Sequence, residues 1–201
     1  MKLYYSPTSP FVRKVNLLAI EAGLETKIEH LPTNPWQAEK ELVAENPLSQ
    51  VPTLITDEGM TIYDSRVICE YLDSLHTGEK LFPETGKQRW QALQLQSLAD
   101  GILDAGILRF LEAKRELALR SADWDLMQKR AISRGLASFE DSVSEWKNDL
   151  NIGVITVACL LGWLDFRFSH EDWKSEHTKL SQWFTGFSLR PSMLATVPHE
   201  A

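Results

Sequence analysis

The apolar periodicity of this chain changes character near residue 87, and that change limits the available folds more than any other feature. Before it, short strand-like runs at Lys2 to Tyr5, Lys27 to Leu31, Val51 to Ile55 and Met60 to Tyr63 alternate with helical patterns. After it every apolar period is helical: Gln88 to Arg120, Trp124 to Lys147, Ile152 to Phe168 and Glu176 to Phe187. A chain written this way makes an α/β unit followed by an all-α one.

Turn and cap chemistry sharpens the first unit. Ser6 to Pro10 breaks the first strand, and a helix with Phe11, Val15, Leu18 and Ala22 on one face closes at Gly23. A second helix is expected from Gln37 to about Ala44. Asp57-Glu58-Gly59 joins the last two strands as a hairpin, with Gly59 free to take positive φ. Ser65 then reads as the N-cap of a helix carrying Val67, Ile68, Tyr71, Leu72 and Leu75. The expected order is βαβαββα over residues 1–78, with Gly78, Pro83 and Gly86 in a linker and an all-helical domain over 87–201.

Charge and composition exclude several function classes. The net charge is −7, and the acidic excess falls in both halves, which is unlike the basic face of a nucleic-acid binder. The first ten residues reach prolines and hydroxyls before an apolar core develops, so no secretory signal is read and a cytoplasmic location is expected. The uncharged run from Ile152 to Leu164 is shorter than the roughly 18 residues of a membrane span, and is read as a buried core helix. Cys69 and Cys159 each lie in an apolar helical pattern, as buried thiols do. His30, His76, His170, His177 and His199 lack ligand-like spacing, so no metal site is expected.

Three N-terminal segments carry a family resemblance: Leu3-Tyr4-Tyr5-Ser6-Pro7-Thr8-Ser9-Pro10-Phe11-Val12-Arg13-Lys14, then Asn46-Pro47-Leu48-Ser49-Gln50-Val51-Pro52-Thr53-Leu54, then Tyr63-Asp64-Ser65. In this order and spacing they resemble the cytosolic glutathione S-transferase superfamily. The stretches 99–106 and 158–167 are similar to its small bacterial members. The resemblance implies a thioredoxin-like N-terminal domain, glutathione as co-substrate, no metal, a homodimer, and attack of the glutathione sulfur on a small electrophile. It implies Ser9 as the catalytic residue, with Ser6, Thr8 and Tyr5 as rival donors. Gln50, Val51 and Pro52 fall at the glutathione site, where a cis Val51-Pro52 turn would offer the Val51 backbone to the cysteinyl part. Asp64 and Ser65 fall at the γ-glutamyl end, and Asp100 is implied to reach the glutathione of a partner subunit, with a solvated helix-face acid as the alternative. Regulatory or interaction modules share the fold, so a non-catalytic glutathione-binding protein is the alternative.

The residue types suit that chemistry. A thiol of pKa about 8.5 is only about 3% ionised at pH 7, and the thiolate is the nucleophile. Ser9 precedes Pro10, a favoured first helical residue, so its hydroxyl stands at a helix N-terminus where an anion is stabilised. The plain alternative for Ser9 is helix capping alone. Ser9-Pro10-Phe11-Val12 stands where resembling redox proteins carry Cys-Pro-x-Cys, so protein disulfide exchange is not expected. Arg13, one turn into the first helix, could assist the thiolate electrostatically, but a surface cation is the commoner outcome for such a residue. One departure from the family lies at the late core helix, where Asn151 and Val154 replace a capping pair. Asn151 can cap, Val154 cannot reciprocate, and Val154→Asp is expected to add about 0.3 to 1 kcal/mol.

Overall fold

The computed structural model describes residues 1–37, 39–146 and 149–200. They form two units, Met1–Arg89 together with Pro191–Ala201, and Trp90–Arg190. The segment 191–201, expected in the helical half, therefore groups with the first unit.

The first unit runs β1 (Lys2–Tyr5), α1 (Pro10–Glu21), β2 (Glu29–Pro32), α2 (Lys40–Glu45), β3 (Thr53–Ile55), β4 (Thr61–Ile62) and α3 (Ser65–Ser74). This is the expected βαβαββα order. The sheet order is β2-β1-β3-β4, with β1 parallel to β2 and antiparallel to β3, and β3 antiparallel to β4. A buried row crosses it, because Leu3 pairs with Leu54 and Leu54 with Ile62, and successive strand residues face opposite sides. α1 buries Val12, Val15, Leu18 and Ala19 and packs on α3, which buries Ile68, Cys69 and Leu72 and contacts β3.

Local chemistry explains most boundaries. After α1, Gly23 takes φ 67°, its N–H reaches Ile20 O at 3.0 Å, and Leu24 N–H reaches Ala19 O at 2.7 Å. That pair of bonds is the Schellman stop that a glycine permits. Gly59 takes φ 82° in the hairpin. The second strand begins at Glu29 rather than Lys27 because Glu25–Lys27 winds a 3₁₀ turn first. The expected helix from Gln37 is likewise shortened: Pro35–Gln37 is a 3₁₀ turn and α2 starts at Lys40. Ala38, within that expectation, lies outside the described residues.

The second unit holds α4 (Gly86–Lys114, begun in the first), α5 (Ala122–Ser142), α6 (Ile152–Arg167), α7 (Trp173–Glu176) and α8 (Thr178–Phe187); α9 (Pro191–Ala195) belongs to the first unit. The fourth helix stops at Lys114, not Arg120, because Glu112 Oε1 accepts the Ser121 N–H at 2.6 Å and Ser121 Oγ caps α5 at Trp124 N. α5 ends at Ser142, and Lys147, to which it was expected to run, lies outside the described residues. From Ile152 to Leu161 every residue of α6 is buried, as the uncharged run implies. No helix among the described residues is long and apolar enough to cross a membrane.

Asn151 caps α6 as expected, its Oδ1 accepting from Gly153 N at 2.9 Å and Val154 N at 3.2 Å. Val154, however, is buried. An aspartate there would lose its hydration inside the core, a cost far above any helix-dipole gain, so the expected stabilisation by Val154→Asp is reversed. Cys69 and Cys159 are buried and form no disulfide.

One ion network ties the helical unit together. Buried Arg109 on α4 donates to Asp125 on α5 at 3.0 Å and to Glu171, before α7, at 2.8 Å, while stacking on Phe168 at 4.8 Å. The Arg109 hydrogen bonds hold the Glu171 carboxyl below its ordinary range despite partial burial. A depressed carboxylate pKa adds stability above the ordinary glutamate value and loses it as pH falls through the depressed one. Acid titration of wild type should therefore lower the thermal midpoint more steeply than titration of Glu171→Gln. Parallel curves would show that Glu171 carries no such linkage.

Candidate active site

The strand pairings bring the sequence-predicted residues of the first unit to one sheet edge. Tyr4 pairs with Thr53, so the turn leaving β1 toward Ser9 adjoins the Val51-Pro52 turn entering β3. Leu54 pairs with Ile62, so β4 exits at the same edge, into Asp64 and Ser65. α1 and α3 both start there, which directs two helix N-termini toward one place, a favourable setting for anionic groups.

Ser9 is half-buried and is the N-cap of α1, its Oγ accepting from Val12 N at 3.3 Å. A hydroxyl that accepts through a lone pair still holds its proton for donation. Capping and thiolate support are therefore compatible at this residue. Ser6 Oγ and Thr8 Oγ1 lie 3.1 Å apart and form a pair of their own in the same turn. Tyr5 places its ring edge-on to His30 at 5.2 Å, a packing role.

Val51-Pro52 is cis. The loop before it is organised by Asn46, a buried residue that sequence reasoning did not single out. Its Nδ2 donates to Thr53 Oγ1 at 3.0 Å and Gln50 O at 3.3 Å, and its Oδ1 accepts from Leu48 N at 3.0 Å. These bonds enclose Ser49, which takes φ 51°, a left-handed conformation that costs a residue with a Cβ roughly 1 to 2 kcal/mol. The available signal was Asn before Pro, an Asx-turn start. Gln50 is exposed and Pro52 buried.

At the start of α3 the roles of two residues exchange. Asp64, not Ser65, is the N-cap, with Oδ1 accepting from Arg66 N at 2.8 Å. Ser65 is buried at the first helical position. Both types favour N-caps, and sequence order alone does not choose between adjacent ones. Asp64 is exposed and keeps its second carboxylate oxygen for another partner.

Two further expectations change. Asp100 lies in the second unit at 0% exposure, so it is not a solvated helix-face acid. Arg13 is not a surface cation either: it is buried, and its guanidinium donates to Met193 O at 3.2 Å. Sequence periodicity could not show this, because its partner is 180 residues away. Among the described residues no three His, Cys, Asp or Glu gather as metal ligands.

Comparison with known proteins follows this geometry. Residues 8–75 match the family model of the glutathione S-transferase N-terminal domain. The chain is 33% identical to the uncharacterized GST-like protein YibF of Escherichia coli (strain K12), over 100% of both chains. A glutathione transferase family member from Pseudomonas fluorescens Pf-5, solved with bound glutathione, superposes with a TM-score of 0.95 at 40% identity, covering 98% of each chain. A glutathione S-transferase from Methylobacillus flagellatus KT, with glutathione bound, gives 0.92 at 30% identity over 98% of this chain and 99% of that one. Full-length identity at this level, on the same thioredoxin-like and helical architecture, places this chain in the glutathione S-transferase family.

Proposed function

We infer that the protein binds glutathione at the sheet edge bearing Ser9, Gln50, Val51-Pro52 and Asp64-Ser65, and uses its thiolate to attack a small electrophile. The observation that carries this reading is the meeting of the Ser9 capping hydroxyl, the Val51-Pro52 turn and the Asp64 carboxylate at the sheet end where α1 and α3 begin. Ser9 donates to the sulfur. Val51 offers its backbone to the cysteinyl amide. The second oxygen of Asp64 takes the γ-glutamyl ammonium, and the Ser65 end of α3 takes the carboxylate. Glutathione bound to the Pseudomonas fluorescens and Methylobacillus flagellatus proteins supports the ligand. A cytoplasmic homodimer with a detoxifying role accords with the family.

Shifting a thiol from pKa 8.5 to about 6.5 requires about 2.7 kcal/mol. A hydrogen bond to a charged group contributes about 1.5 to 3 kcal/mol and a helix N-terminus about 0.3 to 1. The two suffice together.

Ultraviolet titration of the protein with glutathione tests the reading. Thiolate absorbance should appear well below pH 8.5 in wild type. Ser65→Ala should leave that midpoint in place and weaken glutathione about 2- to 10-fold, since it removes a contact made equally before and during reaction. Binding without a depressed thiolate midpoint would instead mark a non-catalytic glutathione-binding module.

A further inference from the structure

The C-terminal segment lies along the helix whose N-terminus carries Ser9. Ser192 donates to Glu21 in the last turn of α1, and Arg13, in its first turns, donates to Met193 O at 3.2 Å and Thr196 Oγ1 at 3.4 Å. Residue numbers thus rise along the segment as they fall along α1: it runs antiparallel to the helix, toward its N-terminus. Ser192 and Met193 are buried, so this is a packed contact and not a loose tail. Thr196 in turn donates back to Ser192 O at 2.8 Å, which fixes the acceptor that Arg13 uses.

Arg13 connects this segment to the proposed thiolate donor through the backbone. Its own N–H closes the first turn of α1 on Ser9 O at 3.0 Å, one residue beyond the Val12 N–H that Ser9 Oγ caps. A fork of guanidinium donors holds direction as well as distance, and a buried one is restrained by its packing. The other charged groups on this helix are Lys14, also buried, with Nζ 5.7 Å from the Phe11 ring, and Glu21.

We propose that residues 191–196 form a strap that, through Arg13, fixes the first turn of α1 and so sets how well Ser9 supports the glutathione thiolate. Arg13 is a positioning residue. The inference rests on the glutathione reading above and deepens it: the thiolate midpoint belongs partly to a segment far from the ligand in sequence. Hydrogen bonds to a thiolate weaken steeply with misalignment, and small displacements of a positioned donor cost disproportionately in rate.

Arg13→Lys and Arg13→Met test it in the full chain, using glutathione as the probe. Lysine keeps the buried charge but loses the fork. Arg13→Lys should raise the thiolate midpoint by about 0.5 to 1 unit, or roughly 3- to 10-fold less thiolate at pH below the transition. Glutathione affinity, measured where the sulfur is protonated, should stay within about 2-fold, because the tripeptide's own contacts are untouched. Arg13→Met should shift the midpoint further. If it fails to fold, Arg13→Lys alone decides. An unmoved midpoint in folded Arg13→Lys overturns the strap, and a shift in Arg13→Met only would assign Arg13 a charge effect and overturn it too. Absence of a depressed midpoint in wild type would instead remove the glutathione reading, and the strap with it.

Discussion

Asp73→Ala is expected to lower the unfolding free energy by about 3 to 5 kcal/mol, a large part of the roughly 5 to 15 kcal/mol that holds a domain folded. Asp73 sits near the end of α3 with its carboxylate buried. Its Oδ1 accepts from Leu81 N at 2.8 Å and His76 Nε2 at 3.0 Å, and its Oδ2 from Phe82 N at 3.2 Å. Leu81 and Phe82 are themselves buried. Alanine would leave two backbone donors without acceptors in a place that water does not reach, at about 1 to 3 kcal/mol each. The same region is tied from the other side by Lys80, whose Nζ donates to Asp73 O at 2.6 Å and His76 O at 2.5 Å, closing the end of α3. Asp73→Asn keeps one acceptor and should lose about half as much. Urea denaturation and amide exchange at Leu81 and Phe82 check this. If the alanine variant unfolds within about 1 kcal/mol of wild type, those amides find water and the clamp argument is wrong.

Ser9→Ala is expected to reduce glutathione-dependent turnover at pH 6.5 about 5- to 50-fold by raising the thiolate midpoint one to two units. It should leave the affinity of protonated glutathione within a few fold. The substitution also removes the α1 cap, at about 0.5 to 2 kcal/mol of stability, so activity and folding fall together. Two companions separate them. Ser9→Gly loses the hydroxyl but costs only a few tenths of a kcal/mol as a cap; it should match alanine in chemistry and wild type in stability. Ser9→Thr keeps both functions. Turnover that survives in Ser9→Gly would move the donor to Ser6, Thr8 or a backbone amide.

These two residues illustrate how unevenly the sequence discloses its structure. Elements defined by neighbouring residues were legible. The Gly23 stop, the Gly59 hairpin, the apolar α6 and the Asn151 cap each follow from chemistry within about ten residues, where periodicity and backbone sterics act directly. The order of strands and helices came with them, and the three N-terminal motifs pointed to the family that full-length comparison then showed. Local competition was less legible. Asp64 and Ser65 are adjacent and both can cap, and the choice depends on backbone angles set by β4 and α3 together.

What only the tertiary structure decided are the contacts made across long separations. Val154 looked like a missing acid until its burial made it part of the core. Asp100 could have been a solvated acid on a helix face until its burial excluded that, and Arg13 looked like a surface cation until Met193 of α9 supplied its acceptor. The physical reason is the same in each case. Periodicity reports which face of a helix is apolar, but a charged residue's fate depends on whether a distant segment supplies it with hydrogen-bond partners. Only a folded chain brings that segment near enough to offset the cost of taking the charge out of water.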